Sequence, residues 1–201
     1  MKVLVKCLLA LAIISSIGSG KDLEEYIKEA EVYQESGKIQ QAISTMEDAV
    51  KEYPNSSIAY TKLGIFISMQ VQGIKDFTEM FKAIERAFRM WDKAISFDPN
   101  NFTARFYRGS WGVNIPKFIG QLEKGISDLE FLIQVLGQSP DPTAKEQLVS
   151  AYNLLGTGYQ KQGEYQKAKQ SYEKLIDIVP GTKHADGAKE NINKIVLFEK
   201  W

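Results

Sequence analysis

Sulfur and imidazole are almost missing from this chain, and that shortage removes most enzyme chemistry at once. One cysteine, Cys7, and one histidine, His184, occur in 201 residues. Cys7 falls within the N-terminal segment, so neither a disulfide framework nor a thiolate site can be assembled from the remainder. No HExxH, CxxC or EF-hand spacing occurs, so neither a metal nor a cofactor is expected. Gly109-Ser110-Trp111-Gly112 lacks the spacing of a nucleophile elbow. Gly156-Thr157-Gly158 with Gly163 sits inside a helical pattern with no preceding strand, which excludes a dinucleotide loop. His184 has no partner nearby in sequence and reads as a surface histidine. Paired carboxylates such as Glu24-Glu25 and Glu29/Glu31 read as a solvated helix face. The chain is therefore expected to be no enzyme. An excess of either charge is lacking too: 25 basic and 25 acidic residues give a formal net charge of zero. No global field then favours nucleic acid or an anionic membrane.

What is present begins with a short apolar leader. Lys2 and Lys6 precede an uncharged stretch from Cys7 to Ile17, followed by the small residues Gly18, Ser19 and Gly20. This order matches an export signal over residues 1–20, processed before Lys21, and places the rest outside the cytoplasm, as a periplasmic or secreted protein. The alternative is a retained anchor through residues 3–18, although a comfortable membrane span takes roughly 20 residues. Removal of residues 1–20 would leave 23 basic against 25 acidic residues.

The rest of the chain is organised around residues 149–180. Tyr152, Leu155, Gly156 and Tyr159 recur at the spacing of one helix face, and Tyr165, Ala168, Tyr172, Leu175 and Ile176 do so after a break at Gly163. Pro180 stops the second helix. The same pattern appears in 23–56, where Tyr26, Ala30 and Tyr33 precede Gly37, and Ala42, Met46 and Ala49 precede Pro54. The glycine-to-proline offset is 17 residues in both segments. These positions resemble the signature of the tetratricopeptide repeat (TPR), a 34-residue helix–turn–helix unit. The resemblance implies an all-α, TPR-like solenoid of helical hairpins, wound as a right-handed superhelix with a C-terminal capping helix. Its units are placed at about 23–56, 57–101, 102–136 and 143–181, with the cap over 183–200. The small residues Gly156 and Ala168 are expected where two helix backbones approach closely.

Two units are irregular. Between Gly64 and Pro99 about 11 residues exceed the repeat period, covering roughly Val71 to Phe81, and Ile74–Phe97 could form one long helix. In 102–136 the run Gly112 to Pro116 breaks a helix and adds about four residues. Thr143 and Glu146 read as a capping box that opens the last full unit.

The resemblance also implies a binding surface, because first helices line the concave groove of such arrays. The corresponding positions here include Ile27, Glu31 and Gln34, then Thr61 and Ile65, then Phe106, then Asn153, Thr157 and Gln160. The basic residues with which some arrays clamp a C-terminal carboxylate are missing around Asn153. A neutral groove of this kind fits a peptide or partner helix, and the expected partner is another protein, with no nucleic acid and no membrane contact beyond the N-terminal segment. A second concentration is aromatic: residues 77–118 hold ten of the chain's 22 aromatic residues and all four arginines, including Arg105, Arg108 and Trp111. Either these residues fill the wider core of the enlarged units, or they form a pocket or partner surface. Two functions follow: a non-catalytic scaffold module of the cell envelope, or a transporter-associated, solute-binding accessory protein with its pocket in residues 71–118. Asn55 and Asn101 lie in glycosylation sequons.

Overall fold

Helix caps and glycine turns set the outline of the molecule. The computed structural model describes residues 21–141 and 143–199, and the expected targeting segment, residues 1–20, lies outside them. The described residues hold nine α-helices and no strand: α1 (Leu23–Glu35), α2 (Ile39–Glu52), α3 (Ser57–Gln70), α4 (Phe77–Phe97), α5 (Phe102–Asn114), α6 (Leu122–Leu136), α7 (Thr143–Gln162), α8 (Tyr165–Ile178) and α9 (Lys183–Phe198). Each helix packs on the next, giving four hairpins and a terminal helix laid against α8. Successive first helices also touch, α1 with α3, α3 with α5, α5 with α7 and α7 with α9, and no comparable contact joins successive second helices. The first helices therefore line the inner side of a helical-repeat solenoid.

The first helices start on side-chain caps. Asp22 accepts the Glu25 amide at 2.8 Å while Glu25 reaches back to the Asp22 amide, a complete capping box at α1. Ser56 and Asn101 cap α3 and α5 in the same way, and Thr182 caps α9. In α1/α2 and α7/α8 the second helix instead follows a glycine turn. Gly37 (φ +72°) and Gly163 (φ +92°) are left-handed. The following amides of Lys38 and Glu164 donate to Tyr33 and Tyr159 carbonyls at 2.8 and 2.9 Å, which is a Schellman closure. Asp141, not Thr143, prepares α7: its carboxylate accepts the Thr143 amide at 2.9 Å, and Thr143 is already helical. Those hydrogen bonds from Thr143 hold the Asp141 carboxyl below its ordinary pKa.

One joint recurs inside every hairpin. A small residue on the first helix faces a large side chain on the second. A Cβ added at Gly156 would stand 2.6 Å from the Tyr172 ring, and one at Gly64 would stand 2.5 Å from Trp91 Nε1. At Gly109 the neighbour is Leu129, and in the first hairpin Ala30 and Met46, both fully buried, hold the equivalent places. The room at Gly156 thus belongs to an aromatic ring and not, as expected, to a helix backbone. Backbone meets backbone instead at Gly112 and Gly125, where an added Cβ on Gly112 would lie 2.9 Å from the Gly125 Cα.

The irregular units absorb their extra residues in a longer α4 and in the turns. Helix α4 starts at Phe77 and not at Ile74, because a 3₁₀ turn (Val71–Gly73) follows α3 and Asp76 caps the new start at 2.9 Å from the Glu79 amide. After α5 the chain runs through Pro116, which has no amide to donate, into a 3₁₀ turn (Lys117–Ile119) and left-handed Gly120. Two apolar cores result. The first joins α1–α4 to Ala104 and Ile115, and the second runs from Val113 to Ile195.

Candidate functional site

The inner side is where the sequence places a groove, and its residues fare differently along the array. Asn153 is exposed; Ile27, Gln34, Thr157 and Gln160 are half-buried. Glu31 is half-buried and pairs with Lys62 at 2.6 Å. Thr157 donates to the Asn153 carbonyl, one turn back on α7. Thr61 and Ile65, by contrast, are only 4% and 7% exposed. The reason is that α3 is apolar on all sides, with neighbours α1, α2, α4 and α5, so its groove positions are core. Thr61 gives its hydroxyl proton to the Ser57 carbonyl and accepts from the Asn101 side chain at 2.9 Å. These two expected contact residues are corrected to structural ones. Asn101, bound to Ser57, Thr61 and the Ala104 amide, has its carboxamide fully engaged, unlike exposed Asn55.

The arginines expected to face a partner also turn inward. Arg108 grips the Asp128 carboxylate through Nε and Nη2 at 2.6 and 2.9 Å, and Arg105 reaches the same carboxylate at 2.7 Å. Arg105 further donates to the Pro99 carbonyl and lies 4.1 Å from the centre of the Phe131 ring. Arg108 also binds Asp92, whose second oxygen takes Lys124. Burial works against the Arg108 charge, but its bonds to Asp128 and Asp92 outweigh it and raise its pKa. Asp128, 0% exposed, is the residue that sequence reasoning missed. A signal existed: it shares a helix face with Gly125, Leu129 and Leu132, where a charge has to find a buried partner.

Where α5, α6 and α7 converge an apolar cleft opens, of about 210 Å³, lined by Phe102, Thr103, Phe106, Leu132, Leu136 and Gln147. Phe106 is half-buried and lines this cleft. Trp111 is half-buried against the first core, 6.4 Å from Trp91 between ring centres, and borders a shallow cleft of about 260 Å³ with Ser110, Asn114 and Ile115. The aromatic centre itself is solid, with Trp91 at 0% and Phe88 at 2% exposure in edge-to-face contact. Phe88 and Trp91 are therefore core beneath the lengthened α4, Phe81, Phe106, Tyr107 and Trp111 are half-buried around them, and Phe77, Phe97, Phe102 and Phe118 are exposed.

Other groups show no catalytic arrangement. His184 is exposed beside an open cleft with Lys145, Glu146 and Ser150. Burial and a hydrogen bond to Glu130 push the Tyr159 phenol well above its ordinary value, and burial raises Tyr172 too. Among the described residues no cluster of three or more metal-ligating side chains occurs, and no helix is long and apolar enough to cross a membrane.

The tetratricopeptide repeat family matches residues 26–56 and, separately, 149–182, which are the two regular hairpins. Among solved structures, residues 41 to the end of MamA from Desulfovibrio magneticus RS-1 share the fold with a TM-score of 0.63 at 17% identity, over 91% of this chain and 98% of that one. A thermophilic TPR protein of Thermus thermophilus gives 0.60 at 17% identity, over 88% and 82%. The human IFIT1 dimer with PPP-AAAA gives 0.67 at 18% identity over 89% of this chain, which spans 40% of that protein. No curated protein matches the sequence. Identities this low carry the fold alone, whereas the two matched hairpins, 26–56 and 149–182, are tetratricopeptide repeats within a helical-repeat solenoid.

Proposed function

We propose that this protein is a non-catalytic interaction scaffold, exported to the cell envelope, that holds a peptide or helix of another protein against the inner side of its array. Tetratricopeptide repeats are protein-interaction modules, and that coarser role follows from the family. The finer reading rests on one observation, the apolar cleft of Phe102 and Phe106 on α5 and Leu132 and Leu136 on α6, which Gln147 of the next first helix borders. Such a cleft takes one or two apolar anchor side chains, while exposed Asn153 and half-buried Thr157 and Gln160 offer polar contacts further along α7. Interfaces draw most of their affinity from a few such anchors. The leader pattern supports the envelope location. A solute-binding role centred on residues 71–118 is less supported, since Trp91 and Phe88 fill that centre.

The test is capture of partners from an envelope extract by residues 21–201, beside native mass spectrometry of the purified protein. The proposal expects a stoichiometric protein that is lost, by at least tenfold, in a Phe106→Asp/Asn153→Ala variant. A co-purifying small molecule without a protein partner would overturn it.

A further inference from the structure

The second irregular turn, 115–121, does not simply bulge into solvent; it meets the start of α4, into which the first, 71–76, leads. Phe81, in the second turn of the lengthened α4, contacts Phe118 of the second 3₁₀ turn edge-on, 5.8 Å between ring centres. Phe77 lies one turn before Phe81 on the same helix face. Phe77 and Phe118 are 73% and 77% exposed, the two most exposed large apolar side chains among the described residues. A soluble surface gains nothing from two adjacent phenyl rings in water.

The charges beside them are not balanced. Asp76 is occupied in capping α4, and Glu79 pairs with Lys82 at 2.8 Å. Lys75 and Lys117, each within two residues of an exposed phenylalanine, have no carboxylate partner among the described residues. Lys75, Lys82 and Lys117 against Asp76 and Glu79 leave the patch with a net charge of +1. We propose that this turn and the start of α4 form a peripheral docking surface for an anionic phospholipid membrane, with Phe77 and Phe118 entering the headgroup boundary and Lys75 and Lys117 meeting the phosphates. Rings that project from a helix start and a tight turn suit a fluid surface, which needs no preformed pocket to receive them. Long lysine stems let the ammonium stay at headgroup level while the rings go deeper. A protein partner would need its own cavities for both rings, and the charge pattern favours a lipid phosphate surface. The contact is independent of the N-terminal segment: Lys21, bonded through its carbonyl to the Tyr53 hydroxyl, sits at the opposite end of the hairpins.

Residues 21–201 contain every residue of both cores and serve for the test. They should sediment with phosphatidylcholine–phosphatidylglycerol vesicles, and far less with pure phosphatidylcholine. Phe77→Ser/Phe118→Ser should reduce that binding at least tenfold with an unchanged circular-dichroism spectrum, and Lys75→Gln/Lys117→Gln should erase the preference for the anionic lipid. Because this stretch has no cysteine, Phe118→Cys can carry a single polarity-sensitive dye. Its emission should shift to the blue on adding anionic vesicles, while the same dye at exposed Ser44 should not respond. No sedimentation, equal binding to both lipids, an undiminished serine variant, or capture of a protein through Phe77 and Phe118 without vesicle binding would each overturn the proposal.

Discussion

The regular hairpins, α1/α2 and α7/α8, and the irregular ones, α3/α4 and α5/α6, share a joint and differ in everything that connects it. Sixteen residues separate Ala30 from Met46 and Gly156 from Tyr172. Twenty-seven separate Gly64 from Trp91 and twenty separate Gly109 from Leu129, yet the same small-on-large contact forms. In α3/α4 most of the excess lengthens α4 to 21 residues. The rest, like the excess of α5/α6, leaves through the turn, where a Schellman glycine is replaced by a 3₁₀ segment and, at α4, an aspartate cap. Packing at the joint is the invariant; connection length is not. That ordering is physical, because lengthening a surface loop costs little while a misfit in a close-packed joint is felt at once.

The largest expected break in this comparison is at α6. Asp128→Ala would strand Arg105 and Arg108 beside the core, a loss of about 3–5 kcal/mol by the cost of an orphaned buried charge. Ser171 stands one residue before Tyr172 as Asp128 stands before Leu129, and its hydroxyl only returns to the Lys167 carbonyl. Ser171→Ala should therefore cost less than about 1 kcal/mol, as expected for one local hydrogen bond. Denaturant unfolding of the two variants gives the contrast. Next, Gly64→Ala and Gly156→Ala should each destabilise by about 1–3 kcal/mol through overpacking, whether the hairpin is irregular or regular. Gly109→Ala should cost less, since its nearest neighbour stands at 3.1 Å and is a leucine side chain.

The turns should show the reverse. Gly163→Ala puts a side chain at a left-handed φ and should cost about 1 kcal/mol, whereas Gly73→Ala, with nothing within 4 Å and no positive φ, should be neutral or gain about 0.4–1 kcal/mol. The smallest effect is a pH slope. Tyr159 and Tyr172 have raised folded values, so their contribution is fully present below pH 10, where an unfolded tyrosine stays neutral, and is lost as pH climbs toward the folded values. Tyr159→Phe should flatten the alkaline fall of stability above pH 10 in a pH series of unfolding curves.

The sequence showed the joint most clearly where nothing was inserted. Gly37, Ala42 and Pro54 repeat the offsets of Gly163, Ala168 and Pro180, so the regular hairpins were legible from spacing alone. Insertion hides that register, and the pairing of Gly64 with Trp91 emerges only in three dimensions. Asp128 differs: its place on an apolar helix face signals a buried partner, but which partners, 20 and 23 residues earlier on another helix, emerges only once the helices are placed. Thr61 and Ile65 followed the groove pattern, but spacing cannot reveal that four neighbouring helices bury this part of α3. Exposure of Phe77 and Phe118 was hidden because an aromatic residue reads as core.

The most direct test of the account is a photo-crosslinking scan of the array in its native extract. A photoreactive phenylalanine placed at Phe106 and at Asn153 should trap one and the same protein. Placed at Glu85 and Glu173, exposed on second helices, it should trap none. Adducts confined to Glu85 and Glu173, with none at Phe106 or Asn153, would contradict the claim that this array binds its partner on the inner side.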